Sequence, residues 1–265
     1  MDKFRSVLSR RDFLKLGGAV MLAASFPRLN SAASDAPSAP IVYRGSRNYR
    51  KIAMTFDDCW HPEVLEQLNA MLQPYPDFHF TFFAVGDAID IDEAVKPGIW
   101  KMLYESGHEI GYHTYHHEDP SSQNPTADFD QWMNTLHSAV GFEPRVHFGR
   151  PPGNYLTPSF EEICQQRGLV VTQFSLGFEA PNMADSMRLI SQTTNGDIVQ
   201  MHTYQDPPNG RFDVDVTAQA VPYLVKQGFS LVTMSELYDD LLREQYSSDG
   251  CEAGTGDSLN RTCLE

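Results

Sequence analysis

The chain has 265 residues, 41% of them apolar and 11% aromatic, enough to bury one full core, and no segment repeats along it. Its formal charge is −15; residues 1 to 33 carry six basic and two acidic side chains, so the remainder carries −19. That field repels nucleic acid and anionic lipid, which excludes both as expected partners and leaves a monomeric, solvated acidic domain as the starting expectation.

At the N-terminus, Ser9-Arg10-Arg11-Asp12-Phe13-Leu14-Lys15 precedes an apolar run from Leu16 to Phe26, and Ser31-Ala32-Ala33 offers small residues for cleavage. The segment, residues 1 to 33, resembles a twin-arginine export signal, which implies the twin-arginine translocase as a partner during export and a periplasmic or extracellular protein. The apolar run is shorter than the roughly 20 residues of a membrane span. No cysteine stands near residue 30, so no stable membrane anchor is expected. Residues 34 to 50, rich in Ser, Ala, Pro, Arg and Gly, read as a linker, residues 51 to 245 as the folded domain, and 246 to 265 as a flexible C-terminal tail. Within that tail Cys251 and Cys263 flank the Gly/Asp/Ser-rich stretch Glu252 to Thr262 and are expected to pair, while Cys164 reads as a small buried residue.

Within the domain the pattern alternates. Lys51 to Phe56 reads as a buried strand, Glu63 to Leu72 as a helix with Val64, Leu65 and Leu68 on one face, and Phe78 to Val85 as a second strand ending at Gly86. Asp92 to Glu105 reads as one helix disturbed at Pro97, and His108 to Tyr112 as a short strand. A helix over Thr126 to Val140, a strand over Arg145 to Phe148, a helix over Pro158 to Arg167 and a strand over Leu169 to Leu176 follow. The last third gives a weak helix at Ala184 to Gln192, a strand at Asp197 to His202, a helix at Val214 to Gln227 and a strand at Phe229 to Val232. Thr233-Met234-Ser235-Glu236 then resembles a capping box opening a helix that runs to about Leu242. Such alternation predicts an α/β fold, a parallel sheet with helices outside, open or closed into a barrel. In either form chemistry collects at the carboxyl ends of the strands.

The polar clusters fall at those ends: Asp57 and Asp58 after the first strand, His113 after the third, Arg150 after the fourth and His202 after a later one. Adjacent aspartates leaving a strand point different ways, so one can bind a metal while the other handles a proton. His113 and His117, four apart, can share one side of a helical turn and offer two nitrogens to one ion. One Asp and two His leave a tetrahedral zinc with an open position, the arrangement of a catalytic site. His116 is expected to point elsewhere, and His61, His79, His108, His137 and His147 read as surface or satisfied core residues.

Thr55-Phe56-Asp57-Asp58, His113-Thr114-x-x-His117, Arg150-Pro151-Pro152 and Met201-His202 occur in the order, and near the spacings, of the polysaccharide deacetylase family, the NodB-homology or carbohydrate esterase family four domain. Gly107 to His113 and Gly228 to Leu237 resemble it as well, so that the likeness covers roughly residues 50 to 240. It implies a distorted (β/α) barrel of about seven parallel strands and one divalent metal, most often zinc, held by Asp58, His113 and His117. It also implies Asp57 as general base, His202 as general acid, Arg150 orienting Asp57, and an acetylated cell-wall or extracellular glycan as substrate. Tyr155, Trp60 and Pro152 are the expected substrate contacts, with a backbone N–H near Tyr155 meeting the oxyanion.

The chain departs from the family pattern at four places. A small turn residue usually follows the aspartate pair, and here Cys59 stands there, expected as an inert packed thiol. The aromatic after the Arg-x-Pro element is displaced to Tyr155. An aspartate and tryptophan are replaced by Gly177-Phe178-Glu179-Ala180-Pro181, with Glu179 the candidate partner of His202. Gln200 takes the place of a leucine lining the acetyl-methyl pocket. Two alternatives stay open beside a carbohydrate deacetylase: an amidase acting on a non-sugar C–N bond, and an inactive glycan-binding protein.

Overall fold

The structure, a computed structural model, describes residues 38–122, 124–206 and 211–248; the export segment and Cys251 and Cys263 lie outside the described residues. Its centre is β2 (Lys51–Asp58), buried at every position but Lys51. A strand apolar on both faces needs cover on both sides, as in a parallel barrel. Two sets of partners give it that cover. Ile52, Met54 and Phe56 pack outward into the layer shared with the helices, while Ala53 packs inward with Phe83, Phe148, Ile198 and Val232.

Eight strands, each parallel to its neighbours, follow in the order β1-β6-β5-β4-β3-β2-β8-β7. Their ranges are β1 (Ile41–Val42), β3 (Thr81–Ala84), β4 (Glu109–Tyr112), β5 (Phe148–Gly149), β6 (Val170–Thr172), β7 (Leu176–Gly177) and β8 (Ile198–His202). The strands β9 (Gln205–Asp206) and β10 (Arg211–Phe212) form a separate antiparallel pair, and β11 (Ser230–Leu231) pairs with the start of β2. The strands β6 and β7 stand near opposite ends of the order, yet only residues 173–175 join them. Such a link reaches at most about 14 Å. The sheet must therefore curl until its two edges almost meet, a distorted barrel with one strand more than expected.

The helices cover the outside: α1 (Pro62–Met71), α2 (Gly86–Val95), α3 (Ile99–Glu105), α4 (Pro125–Val140), α5 (Pro158–Arg167), α6 (Met183–Ile190), α7 (Asp213–Lys226) and α8 (Met234–Ser248). Asn124 and Thr157 cap α4 and α5 by accepting from backbone N–H groups, and Gly141 and Gly168 end them in the left-handed conformation. None of the described helices is long and apolar enough to cross a membrane.

Four expectations need correction. Ile41 and Val42, inside the expected linker, form β1 against β6. The single helix over Asp92 to Glu105 is two, α2 and α3. Pro97 disfavours helical geometry at Lys96, which sits at φ −137, and Gly98 turns the chain at φ 84. The Glu93 carboxylate then accepts from Gly98 N and Trp100 N, holding the start of α3. Leu169 to Leu176 is not one strand but β6 and β7, which stand near opposite ends of the strand order. Finally, α8 runs past Leu242 to Ser248.

The amino end of the barrel is closed by polar contacts. Thr81 Oγ1 donates to Glu109 Oε2 and accepts from Met234 N, and Ser235 N donates to Glu109 Oε2. Glu236 N donates to Thr233 Oγ1 at 3.3 Å, the first half of the expected capping box. This leaves the carboxyl ends of the strands as the open rim.

Candidate active site

Strand alternation decides what faces the interior. Along β2 the inward positions are Ala53, Thr55 and Asp57, and along β8 they are Ile198, Gln200 and His202, with Thr55 opposite Gln200 and Asp57 opposite His202. Asp58, the next residue, would turn outward in a regular strand. It adopts φ 68 instead, and Cys59 follows at φ 69. This left-handed step swings the chain so that both carboxylates reach one rim. It costs of order 1–3 kcal/mol per residue. It also explains why a glycine-like residue suits position 59. Thr114 and His117, at φ 64 and φ 58, carry the same strain across the site. The segment from His113 to His117 is thus an irregular loop, not the helical turn its spacing suggested.

Asp58 Oδ1 lies 3.0 Å from His117 Nε2 and 3.4 Å from His113 Nε2. In tetrahedral zinc sites, ligand atoms about 2.0–2.1 Å from the ion stand about 3.3 Å apart. The spacing fits a cation. So does the chemistry: Asp58 Oδ1 is buried and accepts no hydrogen bond of regular geometry, and the ligand atoms of Asp58, His113 and His117 lie within 4.8 Å of one another. His113 Nδ1 is 2.7 Å from the Arg150 carbonyl oxygen, which can only accept. His113 Nδ1 therefore carries the proton and Nε2 presents its lone pair to the site. Burial alone would raise the Asp58 carboxyl, but the adjoining His113 and His117 imidazoles outweigh it and hold Asp58 well below the usual carboxylate range. His117 is raised in turn by its hydrogen bond to Asp58. Tyr204 OH donates to Asp58 Oδ2 at 2.8 Å.

Asp57, 1% exposed, is gripped at both oxygens. Arg150 Nη1 donates to Asp57 Oδ1 at 2.7 Å and to Thr55 Oγ1 at 2.6 Å, and Gln200 Nε2 donates to Asp57 Oδ2 at 2.6 Å. Arg150 is wholly buried, its guanidinium lies 4.2 Å above the Phe83 ring, and Nη2 donates to the Gln173 carbonyl. Burial lowers its pKa and the Asp57 charge opposes that.

On the far side of the rim His202 meets Glu179. His202 N donates to Glu179 Oε1 at 2.6 Å, and Nδ1 lies 2.8 Å from the same oxygen. Burial works against the imidazolium, but the hydrogen bond and charge of Glu179, with the charges of Asp57 and Asp58, push His202 up to about 9. That environment favours the imidazolium. Asp213 joins this group: Tyr204 N donates to Asp213 Oδ2, and burial together with the Glu179 charge raises the Asp213 carboxyl. Asp58, Glu179, His202, Tyr204 and Asp213 line a cavity of about 440 Å³.

The structure thus brings together Asp57, Asp58, His113, His117, Arg150 and His202. Trp60 and Pro152 are half-buried and Tyr155 is 77% exposed, and none of the three lines that cavity. Tyr155 N donates to the Pro152 carbonyl at 3.2 Å, so this amide is engaged inside its own turn. Cys59 Sγ is buried, sits 3.6 Å from the Phe56 carbonyl oxygen and is not among the cation-ligating atoms; burial, then the charge of Asp92, pushes its thiol up. His116 turns away to Asp87, at 2.7 Å. His108 accepts from Phe80 N, lies 3.0 Å from Asn69 Oδ1 and is lowered by burial to about 3, a satisfied core histidine. Tyr204 and Asp213 were missed. Tyr204 stands two residues beyond His202, the spacing that keeps it on the same face, and that spacing was the available sign.

A nearly closed parallel barrel here gathers a buried Arg-paired carboxylate, a His–Glu pair and an Asp-His-His cluster on its carboxyl rim, the end where such barrels carry their chemistry. Residues 44–171 match the model of the polysaccharide deacetylase family, and residues 7–27 match that of the twin-arginine translocation pathway signal sequence. Over residues 44–171 the chain is thus similar to the polysaccharide deacetylase family, and its N-terminal segment marks it for export through the twin-arginine pathway. A peptidoglycan-N-acetylglucosamine deacetylase of Bacillus cereus is 28% identical over 218 residues, covering 76% of this chain and 94% of that protein. The peptidoglycan-N-acetylglucosamine deacetylase PgdA of Listeria monocytogenes is 26% identical over 211 residues, but the chain spans only 42% of its length. A carbohydrate esterase family four pseudoenzyme from Bacillus anthracis shares the fold at TM-score 0.65 and 19% identity, covering 77% of this chain and 70% of that one.

Proposed function

We propose that this protein is a metal-dependent deacetylase that removes acetyl groups from an exported or cell-wall glycan, with N-acetylated amino sugars of peptidoglycan first among the candidates. The observation that carries the reading is the pairing of two machines on one rim. The cluster of buried Asp58 and His113 with half-exposed His117 faces one way, and Asp57, fixed by Arg150, stands beside it with His202 opposite. The names of the Bacillus cereus and Listeria monocytogenes relatives support the substrate class.

Asp58, His113 and His117 would hold one divalent cation, zinc by the nitrogen-rich donor set, which when bound polarises an acyl carbonyl and makes water more acidic. Asp57 takes a proton from the attacking water as its oxygen bonds to the carbonyl carbon. Arg150 and Gln200 keep that carboxylate from rotating, so its free lone pairs stay aimed at the rim. His202 gives its Nε2 proton to the departing nitrogen as the C–N bond breaks, and Glu179 balances the imidazolium until then. The products are acetate and a free amine.

Intact Asp57, Asp58, His113, His117 and His202 speak against an inactive binding protein. The test is acetate release from peptidoglycan, acetylated chitooligosaccharide and acetylxylan, with and without chelator. Release that chelator abolishes and zinc restores is expected; release from none of the three, by zinc-loaded protein, would sink the reading.

A further inference from the structure

The floor of this site is polar on the side where the acid product must form. On β8, Gln200 sits one level below His202 on the same inward face, between Thr55 of β2 and Gly177 of β7. Its Nε2 donates to Asp57 Oδ2 at 2.6 Å. A carboxylate can only accept, which fixes the orientation of the amide and leaves Gln200 Oε1 as a carbonyl acceptor. No described residue donates to it. Room lies beside it as well. A Cβ on Gly177 would meet one atom within 4 Å, the Gln200 backbone oxygen at 3.7 Å. Next to the base the inward wall thus carries a carboxamide and, beside it, a glycine with room for at least a Cβ.

The substrate's reacting carbonyl has three arms with different needs. Its oxygen belongs on the side of Asp58, His113 and His117. Its nitrogen carries the glycan, too large for anything but the open rim, and faces His202. The acyl substituent is left the inward direction, toward Gln200 and the space at Gly177. A methyl group there would cover Oε1 and return no hydrogen bond. A hydroxyl on the acyl carbon would donate to it.

We propose that Gln200 selects the acyl group, and that this site takes a hydroxyacetyl (glycolyl) amide of an amino sugar in preference to the acetyl amide. The proposal rests on the deacylase reading above and changes its acyl substrate. The reaction stays a hydrolysis: water oxygen bonds to the glycolyl carbon, the C–N bond breaks, the water proton taken by Asp57 is matched by the one His202 gives to the amine, and glycolate leaves. An acceptor satisfied in one complex and covered in the other separates the two substrates by about tenfold or more.

The experiment compares kcat/KM of the zinc-loaded protein on N-glycolyl and N-acetyl forms of one glucosamine oligosaccharide, reading released amine. The wild type is expected to favour the glycolyl form by about tenfold or more, and Gln200→Leu to bring the ratio to unity or below. The nearly isosteric Gln200→Met serves if the branched side chain disturbs the sheet. Preference of the wild type for acetyl, or a ratio unchanged in both variants, would overturn the proposal. Release of amine from neither form counts against the deacylase reading itself, and the acyl slot is then decided by calorimetry. Glycolate and acetate are each titrated into zinc-loaded wild type and Gln200→Leu. A loss confined to glycolate supports the proposal, and equal loss or none overturns it.

Discussion

Replacing Glu179 by Gln removes a charge while keeping a side-chain oxygen able to accept from His202 N and Nδ1, so the shape of the rim is retained. His202 stands about 2.5 pH units above its ordinary value, from 6.5 to about 9, and Glu179 is the leading favourable cause. At 1.36 kcal/mol per unit the whole shift corresponds to about 3.4 kcal/mol of preference for the imidazolium. Glu179 is 38% exposed and His202 27%, so solvent screening reduces its share, and a contribution of about 1.5–2.5 kcal/mol remains. The alkaline limb of the pH dependence of kcat/KM should therefore move down by about 1–2 units in Glu179→Gln. Below that limb His202 still carries its proton and the rate should fall much less. A bound dication shifts wild type and variant in the same direction, so the difference between them is the measurement. An alkaline limb at the same pH in both proteins would refute the role given to Glu179.

Three further outcomes are expected. Asp57→Asn should lower turnover by about 10²–10⁴ while zinc stays bound, whereas His113→Ala should lose both; equal zinc loss in the two, read by atomic absorption, would reverse the assignment of the aspartates. Tyr204→Phe removes the hydroxyl that donates to Asp58 Oδ2, and zinc affinity measured against a chromophoric chelator should drop about tenfold; an unchanged affinity would count against that contact. Asp92 is fully buried with neither carboxylate oxygen hydrogen-bonded in regular geometry, and burial raises it from 3.8 to about 8. The folded protein thus holds this proton more tightly than the unfolded chain, so stability is full below about pH 4 and declines as pH rises toward 8. At pH 7 the cost is about 4 kcal/mol at most. Urea unfolding should show Asp92→Asn gaining on wild type between pH 4 and 8, and a difference that does not grow with pH would refute this.

The rim was legible because its groups stand where buried runs end, and that holds whichever way the sheet closes. Asp57, Asp58, His113, Arg150 and His202 could therefore be placed before any coordinate was known. What the residues could not disclose was closure. Leu169 to Leu176 reads as one short strand, and only the curl of the whole sheet divides it between β6 and β7, near opposite ends of the strand order. Ile41 and Val42 looked like linker because two residues carry no periodicity, and they become a strand only when β6 offers an edge. Gln200 was identifiable as a departure, but its bond to Asp57 depends on the register of β8 against β2, a tertiary fact. The left-handed turn at Asp58 was equally hidden, since aspartate and cysteine do not announce it as glycine would.

Arg150 leaves β5, crosses the barrel interior over Phe83, and grips Asp57 on β2 and the Gln173 carbonyl in the link between β6 and β7. It is a strut between the seam of the barrel and its reactive carboxylate. Prising the seam apart would drag the guanidinium from the base, so opening of the barrel at this seam is coupled to the loss of the Asp57 partner. Access to the base is therefore from above, across the open rim of the strands' carboxyl ends.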